Sequence, residues 1–536
     1  MALSKHQFHH HITAVSGQYI QGSVSISDSG KVVYHADVFV PNATAHGFFN
    51  ETLNQTGWGI LDIHAGYNAA ASDPQMTYAA GFLEGRFTAE QMWMNYMNMR
   101  SVFFEGKSEK VVKKVEDFLL NQEQWAKKNV KLYASKDVYW RHVGLILAQL
   151  DGLYDGYKSI ADPSWVSEQS RMIVLVLNAV GDLIDLVHAV DPESRPKFSL
   201  MSHEEFEQFV HFSGHCSALV KVLGAFEDIF MSHSSWFVYA ATNRIYKHYN
   251  FNVRDAATAA KALSFSSYPG FLESLDDFYL LSSQMVMLQT TNNIFDTKIY
   301  NLVKPESLLS WQRIRLANMM ATSGEQWYKI MSQHNSGTYN NQYMMIDLKR
   351  VKLNQELLDG ALWVVEQIPG LVKGDDQTDI LRTGYWPSYN VPFYEEIYNR
   401  SGYPDVVLSR GTDYSYQLAP RAKIFRRDQG NVKDMESMKA IMRYNDYKND
   451  PYSEGKSCNT ICCRGDLLSN PTANGCYDTK VADYSMALKR NAHIISGPTR
   501  SHGLPPFSWT PSFQSPQHVG LPPKYDFSWV DTKPSL

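Results

Sequence analysis

Residues 211–223 read HFSGHCSALVKVL, and Cys216 within them is the one cysteine that stands apart from the others. The remaining four cysteines lie between residues 458 and 476, so Cys216 has no disulfide partner nearby in sequence. The β-favouring run LVKVL follows it, which predicts a strand that begins near the thiol. A thiol is a strong intrinsic nucleophile. The functional interpretation of the chain therefore depends on Cys216.

The local sequence leaves three interpretations of Cys216 open. Gly214, Cys216 and Ala218 imitate a nucleophile elbow, but an elbow needs a helix after the nucleophile, and a strand pattern follows here. Cleavage of the bond between His215 and Cys216 would instead expose an α-amine that acts as the base for the thiol. A buried core cysteine is the third interpretation, and the local sequence alone favours it.

The composition predicts a globular protein and limits its partners. The 536 residues are 44% hydrophobic and carry a net charge of −5, so we predict no nucleic-acid partner. No run approaches the roughly 18 to 20 uncharged apolar residues of a membrane span, so we predict no transmembrane segment. The N-terminus shows no apolar signal-peptide core. Its histidine triplet, residues 9–11, is expected to lie in a polar, unstructured end.

The clustered cysteines predict disulfides. They are Cys458, Cys462, Cys463 and Cys476. Their spacing lacks the paired C-x-x-C pattern of a zinc site, and adjacent cysteines do not readily share one ion. Four cysteines allow three pairings, and the sequence does not choose among them.

Four N-x-S/T sequons predict N-glycosylation. They are at Asn42, Asn50, Asn54 and Asn399, and the first three lie together in a polar, turn-rich segment. Beside a compact cysteine cluster they favour a secretory or lysosomal protein.

Helical and strand-like patterns alternate along the chain. Apolar residues recur at helical spacing over residues 109–130 and 172–190. Strand-like runs occur in GWGILDIHAGY, CSALVKVL, YMMIDLKRV and ALWVVEQIPG. The Pro-rich and aromatic end from Gly497 predicts an extended strap on the surface. Residues 191–213 have the composition of an exposed, cleavable connection.

An ordered series of longer motifs is more specific than any of these patterns. The chain contains, in this order, GHCSALVKV, HSSWFVYAATNRIYKHYNFNV, LSFSSYPGFLESLDDFYLLSS, NSGTYNNQYM, GYWPSYNVPFYEEIYNRSGYP, APRAKIFRRDQG, MRYNDYKNDPYS, CNTICCRGDL and GCYDTKVADY. Over roughly residues 40 to 536 the series resembles the phospholipase B-like family. The resemblance reverses the preference for a core cysteine and favours Cys216 as a nucleophile.

The resemblance implies an α+β fold, the αββα four-layer sandwich of N-terminal nucleophile hydrolases, with two antiparallel sheets between helical layers. It implies one hydrolase domain over residues 1–536. This domain is expected to be cleaved into fragments 1–215 and 216–536 that stay associated, with an excisable segment near 191–215. Family members are glycosylated and are lysosomal or secreted, so we expect the lysosomal lumen or secretion for this chain.

The resemblance also implies roles for individual residues. Cys216 becomes the nucleophile and the new N-terminus, and cleavage falls between His215 and Cys216. His233 and Trp236 take pocket positions 17 and 20 residues beyond the nucleophile.

Two further residues complete the predicted site. Asn390 is the expected oxyanion donor, because its amide can donate to the charge of a tetrahedral intermediate. Arg421 is expected to hold Asn390 or a substrate carboxylate in place. Asn340 and Asn341 remain alternatives to Asn390, and Arg464 remains a further candidate cation.

The expected chemistry is acyl transfer. Cys216 attacks an ester or amide carbonyl, its α-amine accepts and returns the proton, and water releases the acyl group from a thioester. We predict no cofactor and no metal. An α-amine has an ordinary pKa of about 7.7 to 8.0. Activity in an acidic lumen therefore requires burial or a nearby cation, such as Arg421 or His233, to lower this pKa.

Three functions stay open from the sequence. Deacylation of phospholipids ranks first, and amidase or peptidase action on a small N-acyl amide ranks second. The third is a non-catalytic lysosomal glycoprotein in which Cys216 serves only maturation. The expected partner is an acyl lipid or a small amide substrate, and a second copy of the chain, as a homodimer, is a further candidate.

Overall fold

Strands and α-helices follow one another along the chain. The computed structural model describes residues 17–27, 29–67, 70–165, 171–212 and 215–535. The histidine triplet at 9–11 and Gly214 lie outside the described residues.

The strands in chain order are β1 (Tyr19–Ile26), β2 (Val32–Ala36), β3 (Ala45–Asn50), β4 (Gly59–Ala65), β5 (His215–Val222), β6 (Ile229–Val238), β7 (Ile245–Phe251), β8 (Ala262–Ser267), β9 (Tyr279–Leu281), β10 (Met285–Thr291), β11 (Asn341–Asp347), β12 (Val351–Lys352), β13 (Glu356–Leu357), β14 (Leu362–Ile368), β15 (Leu371–Asp376), β16 (Tyr385–Ser388), β17 (Asn474–Cys476), β18 (Asp478–Asp483), β19 (Ala492–Ser496), β20 (Phe507–Ser508), β21 (Lys524–Tyr525) and β22 (Val530–Thr532).

The α-helices in chain order are α1 (Leu53–Thr56), α2 (Asp73–Phe87), α3 (Ala89–Phe104), α4 (Glu109–Tyr133), α5 (Val138–Lys158), α6 (Arg171–Asn178), α7 (Val180–Val190), α8 (His203–Phe212), α9 (Ser310–Met320), α10 (Gly324–Met331), α11 (Thr378–Arg382), α12 (Glu395–Arg400), α13 (Tyr403–Arg410), α14 (Pro420–Asp428), α15 (Met435–Met442) and α16 (Tyr484–Leu488).

Two β-sheets, called the large sheet and the small sheet, contain most of the strands. The large sheet has the strand order β15-β14-β11-β10-β9-β8-β7-β4-β3-β1-β2. The small sheet has the order β16-β5-β6-β18-β19-β22, with β17 also paired to β6. Strand β5, which carries Cys216, therefore lies between β16 and β6.

One pairing departs from the two antiparallel sheets that the family resemblance implied. Strands β4 and β7 run parallel, with Gly59 opposite Ile245. The chain between them contains several helices and strands β5 and β6, a crossover long enough for parallel pairing. The other pairings of both sheets are antiparallel among the described strands.

The two sheets bury a shared apolar core. Ala218 and Val220 of β5 belong to one buried cluster with Leu288 of β10 and Met344 of β11. Residues alternate between the faces of a strand. Leu219, between the two β5 residues, accordingly lies in a different cluster on the opposite face of the small sheet.

Helices pack on the remaining faces. Ile424 and Phe425 of α14 and Met438 of α15 share the cluster of Leu219. On the large sheet, the cluster of Met287 and Tyr343 includes residues of α2, α5 and α9. Helices α2 and α5 touch backbone to backbone, since a Cβ on Gly81 would lie 2.0 Å from the carbonyl oxygen of Gln149. The α+β prediction is confirmed.

The predicted elements near the site are largely present. Strands β4, β5, β11 and β14 fall in the four strand-like runs, and α4 covers the helical pattern at 109–130. The pattern at 172–190 forms two helices, α6 and α7, rather than one. Near their junction, the Asn178 amide donates to Gly270 O and its Oδ1 accepts from Leu272 N, at 2.9 and 2.7 Å.

The described residues contain no single helix that is long and apolar enough to cross a membrane. Helices α6 and α7 together meet such a test of length and composition, but they are bent by 94°.

The segment before Cys216 is packed more firmly than its sequence suggested. Much of residues 191–202 is exposed or half-buried, but α8 follows, and its Phe206 is fully buried. The Phe206 ring stacks on Phe295 at 5.6 Å, and Arg410 holds the carbonyls of Phe198 and Met201. Its aromatic residues give the segment an apolar face that composition alone did not reveal.

The C-terminal end is extended, as predicted, but it also enters the core. From residue 497 onward it forms the short strands β20, β21 and β22, and β22 adds to the small sheet. Phe507 and Tyr525 are buried, so the end is more than a surface strap.

Candidate active site

Cys216 is the second residue of β5 and lies opposite Ser235 of β6. Alternation along the strand places it on the face of Ala218, toward the large sheet. The residue is 6% exposed. Burial raises the pKa of the Cys216 thiol to about 12, although the backbone of Trp236 and the charge of Lys480 act in the opposite direction. At neutral pH the Cys216 thiol is therefore protonated.

Asn390 faces the backbone nitrogen of Cys216 as a result of strand register. Ser388 of β16 pairs with Ala218, and the same register carried two residues further brings Asn390 opposite Cys216. Asn390 has a φ of +68°, which asparagine tolerates better than most residues. The Cys216 N–H donates to Asn390 Oδ1 at 3.1 Å. The Asn390 amide nitrogen donates to the carbonyl of Thr291, at the end of β10 in the large sheet.

These contacts bear on the predicted role of Asn390. The Asn390 amide oxygen, rather than its NH₂, faces the backbone N–H of Cys216. Its role as an oxyanion donor stays a prediction. The geometry adds a second role, the orientation of the Cys216 nitrogen.

The Arg421 side chain extends to the backbone of Cys216 from the first turn of α14, where Pro420 is the first helical residue. Its guanidinium donates to Cys216 O at 2.5 Å, Ser217 Oγ at 3.2 Å, Tyr389 O at 2.9 Å and Asn390 Oδ1 at 2.7 Å. It also lies 4.3 Å from the centre of the Trp236 ring, a cation–π contact. No carboxylate of the described residues pairs with Arg421, and burial lowers its pKa. Among the described residues, the buried Arg421 guanidinium thus has no carboxylate in direct contact.

A second group of buried charges lies on the other side of Ser235. The Lys480 ammonium donates to Ser235 Oγ at 2.7 Å, to Asp478 Oδ1 at 2.8 Å and to His233 Nδ1 at 3.0 Å. Arg244 pairs with Asp478 at 2.6 Å and also with Asp276. The charges of this group balance, because two cations, Lys480 and Arg244, face two carboxylates, Asp478 and Asp276. Arg421 has no such carboxylate partner among the described residues.

No local sequence pattern singles out these charged residues. Lys480 and Asp478 lie in GCYDTKVADY, and Asp276 lies in LESLDDFY, two of the motifs that carry the family resemblance. Nothing in their spacing indicates that sheet pairing brings them together.

His233 lies two residues from Ser235 on the same strand face and opposite Ala218. Burial, and then the charge of Lys480, lower the pKa of His233 well below its ordinary value. The imidazole is therefore neutral, so Arg421 and not His233 supplies a positive charge near the Cys216 nitrogen.

The alternative residues have other partners. The Asn340 amide donates to Asp185 and Gly337, and the Asn341 amide donates to the Tyr343 hydroxyl. Arg464 is fully buried and forms an ion pair with Asp466 at 2.6 Å. Its other hydrogen bonds reach the carbonyls of residues 499 and 505 in the C-terminal segment. Of the predicted polar residues, Asn390 and Arg421 are the ones that contact Cys216.

A small cavity of about 70 Å³ opens beside these residues. Trp236, Asn390 and Arg421 line one side, and Glu207, Val210 and His211 of α8 line another. Helix α8 therefore forms part of the wall of this cavity. No group of three or more His, Cys, Asp or Glu side chains in the described ranges is arranged to hold a metal ion.

The clustered cysteines form two disulfides, which confirms that prediction and resolves its pairing. Cys458 is bonded to Cys463, and Cys462 is bonded to Cys476. Both bridges belong to a buried cluster with Trp236. The disulfides therefore support the aromatic wall on which Arg421 stacks.

The two disulfides are expected to contribute unequally to stability. They join cysteines 14 and 5 positions apart, Cys462–Cys476 and Cys458–Cys463 respectively. In the chain-entropy model, replacing the first pair by serine lowers the free energy of unfolding by about 3 kcal/mol, and replacing the second by about 2 kcal/mol. Denaturant unfolding followed by tryptophan fluorescence measures both losses. A larger loss for the shorter loop would overturn this expectation.

The sequons lie at or near the surface. Asn42, Asn54 and Asn399 are exposed, and Asn50, at the end of β3, is half-buried. Glycosylation of these residues stays a prediction.

Comparisons with known proteins match almost the whole chain. The family model described as Phospholipase B matches residues 45–532. The chain is 52% identical over 508 residues to Phospholipase B-like 1 of Homo sapiens, covering 94% of this chain and 90% of that protein. It is 50% identical over 508 residues to Phospholipase B of Crotalus adamanteus, covering 93% and 90%.

A more distant relative matches over a similar length. The chain is 36% identical over 507 residues to Phospholipase B-like protein D of Dictyostelium discoideum, covering 91% and 87%. Cys216, Asn390 and Arg421 all lie inside the range that the family model matches.

Proposed function

Because the chain belongs to the phospholipase B family, we propose that it is a lipid hydrolase that deacylates phospholipids through a thioester on Cys216. The matching family model and the names of the relatives support lipid hydrolysis. The observation that carries the mechanism is the contact of Cys216 with Asn390 and Arg421, which places a buried cation and an amide on the atoms of one thiol-bearing residue.

The layers of helices and sheets correspond, in this proposal, to the αββα sandwich of N-terminal nucleophile hydrolases. In that fold the nucleophile stands at the start of a central strand. Cys216 has this place in β5, with a strand on either side of it.

The first step of the proposed mechanism is maturation, the cleavage of the bond between His215 and Cys216. The Cys216 thiol attacks the carbonyl carbon of His215, the bond from that carbon to the Cys216 nitrogen breaks, and the nitrogen takes a proton. Water then hydrolyses the thioester, which leaves a carboxylate on His215 and a free thiol and α-amine on Cys216. Asn390 Oδ1, which accepts from the Cys216 nitrogen before cleavage, holds the new amine afterwards.

Turnover uses the groups that cleavage exposes. The α-amine of Cys216 accepts the thiol proton as sulfur attacks the ester carbonyl, and it returns the proton to the departing alcohol. Arg421 lowers the pKa of the amine through its positive charge and draws the anionic intermediate into the site. The Asn390 amide stabilises the oxyanion once its NH₂ leaves the Thr291 carbonyl. Water then releases the fatty acid from the thioester.

Removal of the segment near 191–215 opens the site. Helix α8 lines the cavity beside Arg421 through Glu207, Val210 and His211. Fragments 1–215 and 216–536 stay associated because β4 and β7, one from each fragment, pair within the large sheet. Two disulfides and four sequons support maturation in a secretory or lysosomal compartment.

A direct comparison of substrates tests the reaction class. Purified, processed protein is offered a phosphatidylcholine and a panel of N-acyl amides at acidic and at neutral pH. We expect kcat/KM for the phospholipid to exceed that for every amide by at least about 10-fold. The reverse order would establish an amidase, and no turnover of either class would leave Cys216 with a role in maturation alone.

A further inference from the structure

A second cavity lies between α3 and α7, on the far side of α8 from Arg421. Its volume is about 250 Å³, and its apolar lining includes Val102, Phe103, Leu183, Ile184, Val187 and Ile294. The polar groups of its wall belong to Lys107, Asp185, His188, Asn292, Asn293 and Tyr300. Tyr300 donates to Asp185 Oδ1 at 2.5 Å, and Asn340 donates to the other oxygen of Asp185 at 2.9 Å. Apolar side chains nevertheless make up most of the cavity surface.

Strand β6 connects this cavity to the nucleophile. Phe237 lines the cavity and lies two residues beyond Ser235, which pairs with Cys216. Two residues of a strand span about 6.6 Å and point to the same face. The wall of the apolar cavity therefore begins about 6.6 Å along β6 from Ser235, the residue opposite Cys216.

The loop after β10 provides a second connection. Asn293 lines both this cavity and the smaller one beside Arg421. It follows Thr291, whose carbonyl accepts the Asn390 amide, by two residues. The two cavities are thus neighbours around one loop.

Helix α8 separates the two cavities in the uncleaved chain. Val210 and His211 face the small cavity, whereas Phe209 faces the apolar one. The Phe209 ring lies 6.4 Å from His188 of α7, at the wall of the apolar cavity. Removal of the segment near 191–215 would take Phe209 away and join the cavities into one continuous space.

We infer that the α3–α7 cavity binds the aliphatic chain of the acyl group while its carbonyl lies at Cys216. This inference rests on the proposed hydrolysis at Cys216 and adds the part of the substrate that the enzyme selects. A wall that is mainly apolar suits an unbranched hydrocarbon chain. Each methylene buried there strengthens binding about three- to fourfold.

Filling the cavity tests the inference. Val102→Trp fills it from α3, and Val187→Phe fills it from α7. Val112→Trp is the matched control, because Val112 is also a half-buried valine of a neighbouring helix but does not line this cavity. The activity readout is kcat/KM for straight-chain p-nitrophenyl esters from acetyl to lauroyl. The binding readout is NMR titration of decanoate, which does not depend on turnover.

In the wild type and the control we expect kcat/KM to rise with chain length and decanoate to bind. In either filled variant we expect the lauroyl ester to lose at least about 10-fold in kcat/KM, the acetyl ester to stay within about twofold, and decanoate binding to weaken by at least 10-fold. The same chain-length profile and decanoate affinity in the filled variants and the control would overturn the inference.

The two proposals fail in different ways. If no ester is hydrolysed but decanoate binds and filling blocks it, the acyl cavity stands and hydrolysis at Cys216 fails. If the acetyl ester is hydrolysed without any gain from a longer chain, hydrolysis stands and the acyl cavity fails.

Discussion

Replacing Cys216 by alanine is expected to leave the protein as one uncleaved chain and to lower acyl-ester turnover by about 10⁴-fold or more. Alanine has neither the sulfur that attacks the His215 carbonyl nor the one that carries the acyl group. The residue is nearly buried and small, so alanine preserves its packing between β16 and β6. Gel mobility and the rate of ester hydrolysis measure the two losses.

A serine variant separates maturation from catalysis. Cys216→Ser keeps a nucleophile that can cleave slowly, but its hydroxyl is a weaker nucleophile than a thiol at neutral pH. We expect some processed protein with turnover well below that of the wild type. Ser232→Ala, a buried change on β6 whose side chain binds Lys480 O, is the control and should be processed normally. A thiol-directed acyl probe that labels wild type and Cys216→Ala equally would remove Cys216 from the mechanism.

Replacing Arg421 by glutamine is expected to lower kcat/KM by at least about 10²-fold. The substitution removes the charge that faces the Cys216 carbonyl and the Asn390 oxygen, and it removes the stack on Trp236. Lysine keeps the charge but not the planar fork, so Arg421→Lys should recover only part of the activity. Arg426→Gln, an exposed change on the same helix, is the control and should stay within about twofold of the wild type.

The pH profile distinguishes this electrostatic role from a purely structural one. A nearby cation disfavours the protonated amine, so loss of the Arg421 charge should raise the pKa of the Cys216 α-amine. The rising limb of kcat/KM against pH then moves to higher pH in Arg421→Gln and stays in place in Arg421→Lys. A lower rate with an unchanged profile in Arg421→Gln would limit Arg421 to holding Asn390 in position.

Some parts of the fold can be predicted from the local sequence alone. The long helix α4 is visible in apolar periodicity because it buries one face, whereas β5, which buries both faces, is visible as a short β-favouring run. The disulfides could be expected from the clustered cysteines. Their pairing could not be predicted, because Cys462 and Cys463 are adjacent in sequence yet bond to different partners, Cys476 and Cys458. Only the folded loop determines which cysteines meet.

The site itself depends on register, which sequence does not reveal. Asn390 contacts Cys216 because β16 pairs with β5 and ends two residues before it, whereas Asn340 and Asn341 bind elsewhere. Lys480 reaches Ser235 across the pairing of β18 with β6. The parallel pairing of β4 with β7 is likewise a long-range contact that leaves no local pattern.

The mass and N-terminal sequence of the purified wild-type protein test the central claim most directly. The proposal predicts a C-terminal fragment that begins at Cys216, with the sequence CSALVKV, together with an N-terminal fragment that copurifies with it. A single intact chain in a preparation that hydrolyses phospholipid, or a fragment that begins at any other residue, would contradict it.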